Sequence, residues 1–128
     1  DRRRGSDEPW LVFTGDSLLI GDVGRPDLHA HGDPEPLART LHDSLGRLLE
    51  RPDHVLVYPS HYGGSVCGRS LSSNPFSTIG FERRHNAALR QPDAESFVRA
   101  LLVDLPPAPP GQSEIVAANR SGRPLTHA

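Results

Sequence analysis

An α/β fold is predicted from three features that follow one another along this 128-residue chain. Residues 10–14 form a short apolar run rich in aromatic and branched side chains, which is typical of a strand. An amphipathic helical pattern covers Glu35 to Arg51, and Val55–Tyr58 is a second apolar run. The order strand, helix, strand indicates helices packed on a sheet, and the length fits one domain or part of one.

The first strand is expected to end in a sharp turn at Gly15 and Asp16. Leu18–Ile20 is then predicted to form a second short strand. Residues 21–36 contain several Gly, Pro and Asp residues, which predicts a loop that is too long for a simple connector. We expect this loop to overhang a functional site.

The predicted helix carries leucines three and four residues apart, so that they share one face. Pro36 fits its first turn, and Pro52 ends it. The run at Val55–Tyr58 is expected to be a buried strand that Pro59 stops just before His61. The leucines of the apolar face are Leu37, Leu41, Leu45, Leu48 and Leu49.

Residues 62–76 are rich in Gly and Ser and too polar to belong to the core. A short helix is predicted over Thr78–Leu89, with Ser77 as its N-terminal cap. Arg83 and Arg84 fall towards its end, where cations suit the helix dipole. We expect these two arginines to form a solvated face.

A better helix is predicted over Asp93–Leu105, because apolar residues recur on one face and Asp93 is placed to cap it. The proline-rich run at 106–110 predicts an extended linker. Residues 115–117 are expected to add a last strand, and residues 120–128 to form a tail.

Composition excludes two classes of partner. The formal net charge is −2 and no basic cluster marks a nucleic-acid-binding face. No apolar run approaches the ~20 residues that span a bilayer, so no membrane partner is expected. Cys67 is the sole cysteine, which rules out an intrachain disulfide and fits a reducing, cytoplasmic compartment. Cys67 itself is expected to be a buried, inert thiol.

A carboxylate and an imidazole lie at the ends of the two predicted strands. Asp16 follows the first strand and His61 the second, and open α/β sheets bind ligands at such strand ends. Carboxylate oxygen and imidazole nitrogen are ligands for zinc and non-haem iron, although two residues do not complete such a site. The alternatives are that Asp16 caps the turn and that His61 is a structural or surface residue.

The loop offers another set of metal-binding residue types at His29, His31 and Asp33. Two histidines at alternate positions share one side of an extended segment. However, no apolar strand positions them and Pro34 follows directly. We therefore expect a solvated loop here.

Arg25 lies between Gly24 and Pro26 in the same loop. A guanidinium is the natural bidentate partner of a substrate carboxylate, so Arg25 is the candidate substrate-binding residue. The alternative is a structural ion pair with Asp22 or Asp27.

Three segments, in this order, resemble the metallo-β-lactamase fold superfamily. They are F-T-G-D at 13–16 with G-R-P-D at 24–27, Y-P-S-H-Y-G-G-S-V-C-G at 58–68, and S-T-I-G-F-E-R-R-H-N at 77–86. The resemblance runs over residues 10–119. It is closest to the branch that contains persulfide dioxygenases, hydroxyacylglutathione hydrolases (glyoxalase II) and their rhodanese-fused relatives.

The resemblance implies an αββα sandwich with metals at one edge between two sheets, of which this chain would supply the C-terminal half. Residues 1–119 would be that part of the domain and 120–128 a tail. The superfamily's H-x-H-x-D-H motif belongs before the T-G-D strand, and residues 1–8 do not contain it. The implied partner is the missing N-terminal half, because one sheet would otherwise expose apolar surface. Homo-oligomerisation is left open.

The resemblance also implies residue roles. Asp16 matches the aspartate that binds the metal, and bridges two metals in dinuclear members. His61 matches the histidine that binds the second metal in those members. In persulfide dioxygenases a single iron is held by two histidines and this aspartate, which would leave His61 near the metal. Arg25 matches the arginine close to the thiol substrate.

The leading functional hypothesis is therefore iron-dependent oxidation of a glutathione-type persulfide with molecular oxygen, by a chain that is inactive alone. One alternative is hydrolysis of a glutathione thioester at a dinuclear zinc site. Another is a non-catalytic remnant or partner-dependent half-domain.

Overall fold

The structure is a computed structural model that describes residues 7–28, 30, 32–63, 72–103, 105, 107–108 and 110–122. The strands are β1 (Leu11–Gly15), β2 (Leu56–Pro59) and β3 (Ser77–Thr78). The helices are α1 (Glu35–Leu49), α2 (Ile79–His85), α3 (Ala94–Leu102) and α4 (Gln112–Ser121). Short 3-10 helices cover Pro26–Leu28 and Ala87–Arg90. The α/β prediction is confirmed.

The sheet has the strand order β1-β2-β3, with β1 and β2 parallel and β3 antiparallel to β2. Leu11 pairs with Leu56 and Val12 with Val57, and the register shifts after Phe13. Helix α1 is the crossover that parallel pairing requires. Because the two strands run in the same direction, both end at one edge of the sheet.

Residues 18–20 are not a strand, and this prediction was wrong. Leu18 makes only an isolated bridge with Val23, and the two residues enclose a tight loop. Leu18, Leu19, Ile20 and Val23 are nevertheless almost completely buried. A run of three apolar residues marks burial but cannot distinguish a strand from a loop that enters the core.

The core lies between the sheet, the loop after β1 and the helices. Its loop and strand members pack against apolar side chains of α1, α2 and α3. The core residues are Leu18, Ile20, Val23, Ala38, Leu45, Val55, Val57, Ile79, Phe97, Val98 and Leu101.

Helix α1 confirms its prediction but ends at Leu49 rather than Arg51. The end of α1 is held by Arg83, whose guanidinium donates to the carbonyls of Leu49 and Arg51 and contacts Asp53. The expectation that Arg83 forms only a solvated face was therefore wrong. Arg84 also pairs with Asp53, at 2.9 Å.

The caps of the next two helices are only partly as predicted. Ser77 is not the cap of α2, because it pairs with Val57 in β3. Thr78 caps the helix instead, its hydroxyl accepting from the backbone N–H of Phe81 at 3.1 Å. The cap of α3 is confirmed, since the Asp93 carboxylate accepts from the N–H of Ser96 at 2.7 Å.

The predicted last strand at 115–117 is wrong, because these residues lie inside α4. The helix is flanked by Gly111 and Gly122, both in the left-handed conformation. Its alanines, glutamine and glutamate favour helix, and they outweigh two branched residues that have no strand to pair with. Helix α4 also runs two residues into the expected tail, whereas residues 123–128 lie outside the described residues.

The sheet presents an aromatic row on the face opposite the core. Phe13 is 83% exposed. Its ring lies 6.2 Å from that of Tyr58, which stacks on Phe76 at 5.7 Å.

Among the described residues, no helix has the length and apolar character needed to cross a bilayer.

The glycines of α1 and α2 give a matched stability test. A Cβ on Gly80 would lie 2.6 Å from the Cβ of Asp53, whereas a Cβ on Gly46 would have nothing within 4 Å. We expect Gly80→Ala to lower the free energy of unfolding by about 1–3 kcal/mol through overpacking. Gly46→Ala should raise it by about 0.5–1 kcal/mol through helix propensity. Urea denaturation measures both, and equal effects of the two variants would contradict the described packing.

The cap of α3 makes a pH test possible. The hydrogen bond from the backbone of Ser96 holds the pKa of Asp93 below its ordinary value. A carboxyl whose pKa is lower in the folded state contributes stability at pH values above its unfolded pKa. That contribution disappears as the pH falls through the lowered pKa of the folded state. We expect Asp93→Asn, which keeps a capping side chain, to reduce the loss of stability on acidification, as measured by urea midpoints across this pH range.

Candidate metal and substrate site

Asp16 and His61 meet at the edge of the sheet where β1 and β2 end. The Asp16 Oδ1 and His61 Nδ1 atoms are 3.1 Å apart. Both side chains are partly exposed, at 53% and 39%. The backbone N–H of Ser60 donates to the carbonyl of Gly15 at 3.1 Å, which continues the pairing of the strands up to the site. The predicted pair is thus brought together by the parallel strands.

Sequence reasoning missed Ser60. Its hydroxyl contacts Asp16 Oδ1 and lies 3.1 Å from His61 Nδ1, so it bridges the two candidate ligands. The available signal was its position directly before His61 at the end of a predicted strand. A hydroxyl placed there can orient both the carboxylate and the imidazole.

The turn that carries Asp16 is held by an unusually close approach of the backbone. Gly15 has a φ of 55°, which suits glycine. The N–H of Gly24 donates to the carbonyl of Ser17 at 3.3 Å. A Cβ on Gly24 would lie only 2.0 Å from the carbonyl oxygen of Asp16. Only glycine therefore fits at position 24 without displacing Asp16.

Arg25 lies beside this turn with its side chain only 3% exposed. Its Nε and Nη2 atoms donate to the two carboxylate oxygens of Asp27, at 3.2 and 2.7 Å. The structure therefore contains the ion pair with Asp27 that was the alternative to substrate binding. This ion pair is compatible with a substrate-binding role, because Arg25 and Asp16 line the same groove.

This groove has a volume of about 280 Å³ and runs between the loop after β1 and helix α1. Leu28, Leu37 and Leu41 form its apolar side. Asp16 and Arg25 place a carboxylate and a guanidinium on its other side. The shape and the polarity suit a small molecule that has an apolar part and a charged group.

The described residues supply part of a metal-binding set. No group of three or more His, Cys, Asp or Glu residues among them is arranged to hold a metal ion. Asp16 and His61 are an oxygen and a nitrogen donor, which suits zinc or iron. The two donor atoms lie 3.1 Å apart, which places both at one site.

The other candidates do not join this pair. Asp33 accepts from the backbone N–H of Glu35 at 2.9 Å, at the start of α1. His29, His31 and Cys67 lie outside the described residues. The predictions for those three residues therefore stay predictions.

Two solved structures share the fold of this chain. A metallo-beta-lactamase from Staphylococcus aureus matches it with a TM-score of 0.84 and 31% sequence identity, over 99% of this chain and 36% of its own. ETHE1 from Myxococcus xanthus matches with a TM-score of 0.67 and 33% identity, over 88% of this chain and 45% of its own. No family model matches the sequence.

Curated sequences give the same grouping. The mitochondrial persulfide dioxygenase ETHE1 of Bos taurus is 36% identical over 76 residues, which cover 56% of this chain and 28% of that protein. The hydroxyacylglutathione hydrolase GloC of Haemophilus influenzae is 33% identical over 69 residues, which cover 54% of this chain and 31% of that protein. The chain spans less than a third of the length of these two relatives.

The resemblance noted from the sequence motifs is confirmed by these comparisons, in sequence and in fold. The relatives are hydrolases and oxidoreductases of the metallo-β-lactamase superfamily.

The contact between Gly24 and Asp16 can be tested by one methyl group. We expect Gly24→Ala to displace the Asp16 carbonyl and to lower the free energy of unfolding by about 1–3 kcal/mol. The backbone amide NMR signals of Asp16, Ser17 and Ser60 should shift, whereas those of α3 should not. Gly46→Ala is the control, because a Cβ there meets nothing within 4 Å. Unchanged signals at Ser17 and Ser60 in Gly24→Ala would contradict the close approach.

Proposed function

On the premise that this chain has the metallo-β-lactamase fold, we propose that it supplies ligands to a metalloenzyme acting on a glutathione-type thiol derivative. The observation that carries the proposal is the convergence of Asp16 and His61 at the shared edge of β1 and β2, 3.1 Å apart. The groove that starts at Asp16 and contains Arg25 provides a place for the substrate.

The substrate we propose first is a glutathione-type persulfide, with iron as cofactor and molecular oxygen as oxidant. ETHE1 occurs among both the similar structures and the similar sequences, which supports this choice. Bound iron would supply the redox chemistry by which oxygen is reduced and the persulfide sulfur is oxidised.

The residues of this chain would bind and orient. The Asp16 carboxylate would supply an oxygen donor of the kind that zinc and non-haem iron accept. Ser60 lies within hydrogen-bonding reach of both candidate ligands and would fix their orientation. Arg25 would hold a carboxylate of the substrate, with Asp27 keeping its guanidinium oriented in the groove.

Two donors leave the coordination sphere incomplete. We propose that the remaining ligands come from the N-terminal half of the domain, and that this chain alone is inactive. The aromatic row of Phe13, Tyr58 and Phe76 supports this arrangement, because it is an apolar sheet surface that a second layer would cover.

The single cysteine favours a cytoplasmic location.

A second candidate reaction is hydrolysis of a glutathione thioester at a dinuclear zinc site. Two observations favour it. A hydroxyacylglutathione hydrolase is among the relatives. In addition, His61 lies directly beside Asp16, as expected if both bind metal, whereas a single-iron site would leave His61 near the metal without binding it.

Metal binding by the chain is the first test. We expect wild-type protein to bind Co²⁺ or Zn²⁺ weakly, and Asp16→Ala to weaken binding about tenfold or more, because Asp16 is a ligand in both proposed reactions. His61→Ala should weaken binding to a similar extent if the site is that of the thioester hydrolase, and leave it nearly unchanged if the site is that of the persulfide dioxygenase. Isothermal titration calorimetry measures the affinities. The matched control is His54→Ala, since His54 is 66% exposed and lies near Glu8 instead. Equal affinity in wild-type and Asp16→Ala protein would refute the proposed ligand role.

The reaction is tested with the chain alone and together with a polypeptide that supplies the proposed N-terminal half of the domain. Oxygen uptake with glutathione persulfide and iron content would support the first reaction. Thioester cleavage with two metals would support the second. Asp16→Ala should abolish either activity. If instead the combined protein is inactive and Asp16→Ala leaves association intact, the chain is a non-catalytic, partner-dependent piece.

A further inference from the structure

Glu82 in α2 is a completely buried carboxylate that lies outside the site described above. Asn86, one turn later in the chain, is also completely buried. We propose that Glu82 and Asn86 are positioning residues that fix Asp16 and Arg25 through the loop between them. We call residues 17–25 the site loop. The inference rests on the proposed function insofar as it concerns the ligand role of Asp16.

Both side chains form hydrogen bonds with the backbone in the middle of the site loop. The Oε2 atom of Glu82 accepts from the backbone N–H of Gly21 at 3.0 Å. The Nδ2 group of Asn86 donates to the carbonyl of Asp22 at 3.0 Å. Residues four apart on a helix share a face, so both residues can reach the same loop at once. The loop therefore has an N–H held by α2 and a carbonyl held by the residue that caps the C-terminus of α2.

The two side chains also hold each other. The Nδ2 group of Asn86 donates to Glu82 Oε2 at 2.9 Å. The Oδ1 atom of Asn86 accepts from the N–H of Ala88 at 3.1 Å. Asn86 is thus fixed at both ends of its amide, which leaves it one orientation. A buried side chain whose polar atoms are hydrogen-bonded in this way is held rigidly. We call Glu82 and Asn86 together the anchor.

Backbone contacts within the site loop connect the anchor to Asp16. The carbonyl of Asp22, held by Asn86, also accepts from the N–H of Leu19 at 3.0 Å. Leu18 then bridges to Val23. Gly24 follows, with its N–H on the Ser17 carbonyl and its backbone against Asp16. Because Val23, Gly24 and Arg25 are buried, we expect movement at Gly21 and Asp22 to displace Gly24 as well.

Stability alone does not account for Glu82. Its Oε1 atom is buried and has no hydrogen-bond partner within the described part of the chain. Burial of a carboxylate with an unsatisfied oxygen is costly. What Glu82 contributes is a fixed position for the Gly21 N–H, and hence for the residues that follow it.

Hydrogen exchange in the wild-type chain gives the first test and needs no metal. If the anchor and the turn form one unit, the amides of Gly21, Gly24 and Ser17 should open together, with the same dependence on denaturant. Amides of α1 and α3 should open separately. Different denaturant dependences for Gly21 and Gly24 would overturn the proposal.

A substitution provides the second test. Glu82→Gln keeps the shape but weakens the acceptor for Gly21, and we expect exchange at Gly24 and Ser17 to accelerate about tenfold relative to α1. Glu50→Gln is the control, because it makes the same chemical change at an exposed residue at the end of α1. Equal acceleration throughout the chain would show a merely structural role and overturn the proposal. If Glu82→Gln does not fold, the wild-type measurement decides.

The two proposals fail separately. Calorimetry with Co²⁺ on folded Glu82→Gln should show weaker binding than wild type, whereas Glu50→Gln should bind like wild type. If exchange is coupled but Asp16→Ala binds Co²⁺ as wild type does, the anchor stands and the ligand role of Asp16 fails. If Asp16→Ala loses binding but Gly21 and Gly24 are uncoupled, the ligand role stands and the anchor fails.

Discussion

Parallel pairing of β1 with β2 is the interaction on which the rest of this structure depends. It requires a crossover, which α1 provides, and it places the carboxyl ends of both strands at one edge. Residues 44 apart in sequence, Asp16 and Ser60, come into contact as a result. A shift of β1 by one residue would move Phe13 from the exposed face towards the core and separate Asp16 from Ser60.

The loop after β1 is the second determinant, and it behaves as part of the core rather than as a surface connection. Surface loops leave their backbone groups to water, whereas this one buries Leu18, Leu19 and Val23. Its polar groups must then find partners inside the protein. Glu82 of α2 and Asn86, which caps the C-terminus of that helix, supply such partners. Strand β1 supplies the hydroxyl of Thr14, which donates to the Leu18 carbonyl at 2.6 Å. Burial thus gives the loop the rigidity that a turn with a candidate metal ligand needs.

Sequence patterns predicted the elements that rest on local chemistry. Leucine spacing and the flanking prolines located α1, and the side chain of Asp93 located the start of α3. Predictions failed where a competing contact decided the outcome. Ser77 pairs with Val57 in β3, and Thr78 caps α2 instead. Residues 115–117 lack a strand partner and are helical.

The sequence by itself determined the α/β class and the candidate residues for metal and substrate binding, namely Asp16, His61 and Arg25. These follow from short-range patterns, because strand ends, turns and motif spacing are properties of neighbouring residues. Only the tertiary structure decided that Asp16 and His61 touch, that Ser60 bridges them, and that Arg25 pairs with Asp27. It also decided that Glu82 lies buried against the loop. Such contacts join residues far apart in sequence, and their geometry depends on strand register and helix packing.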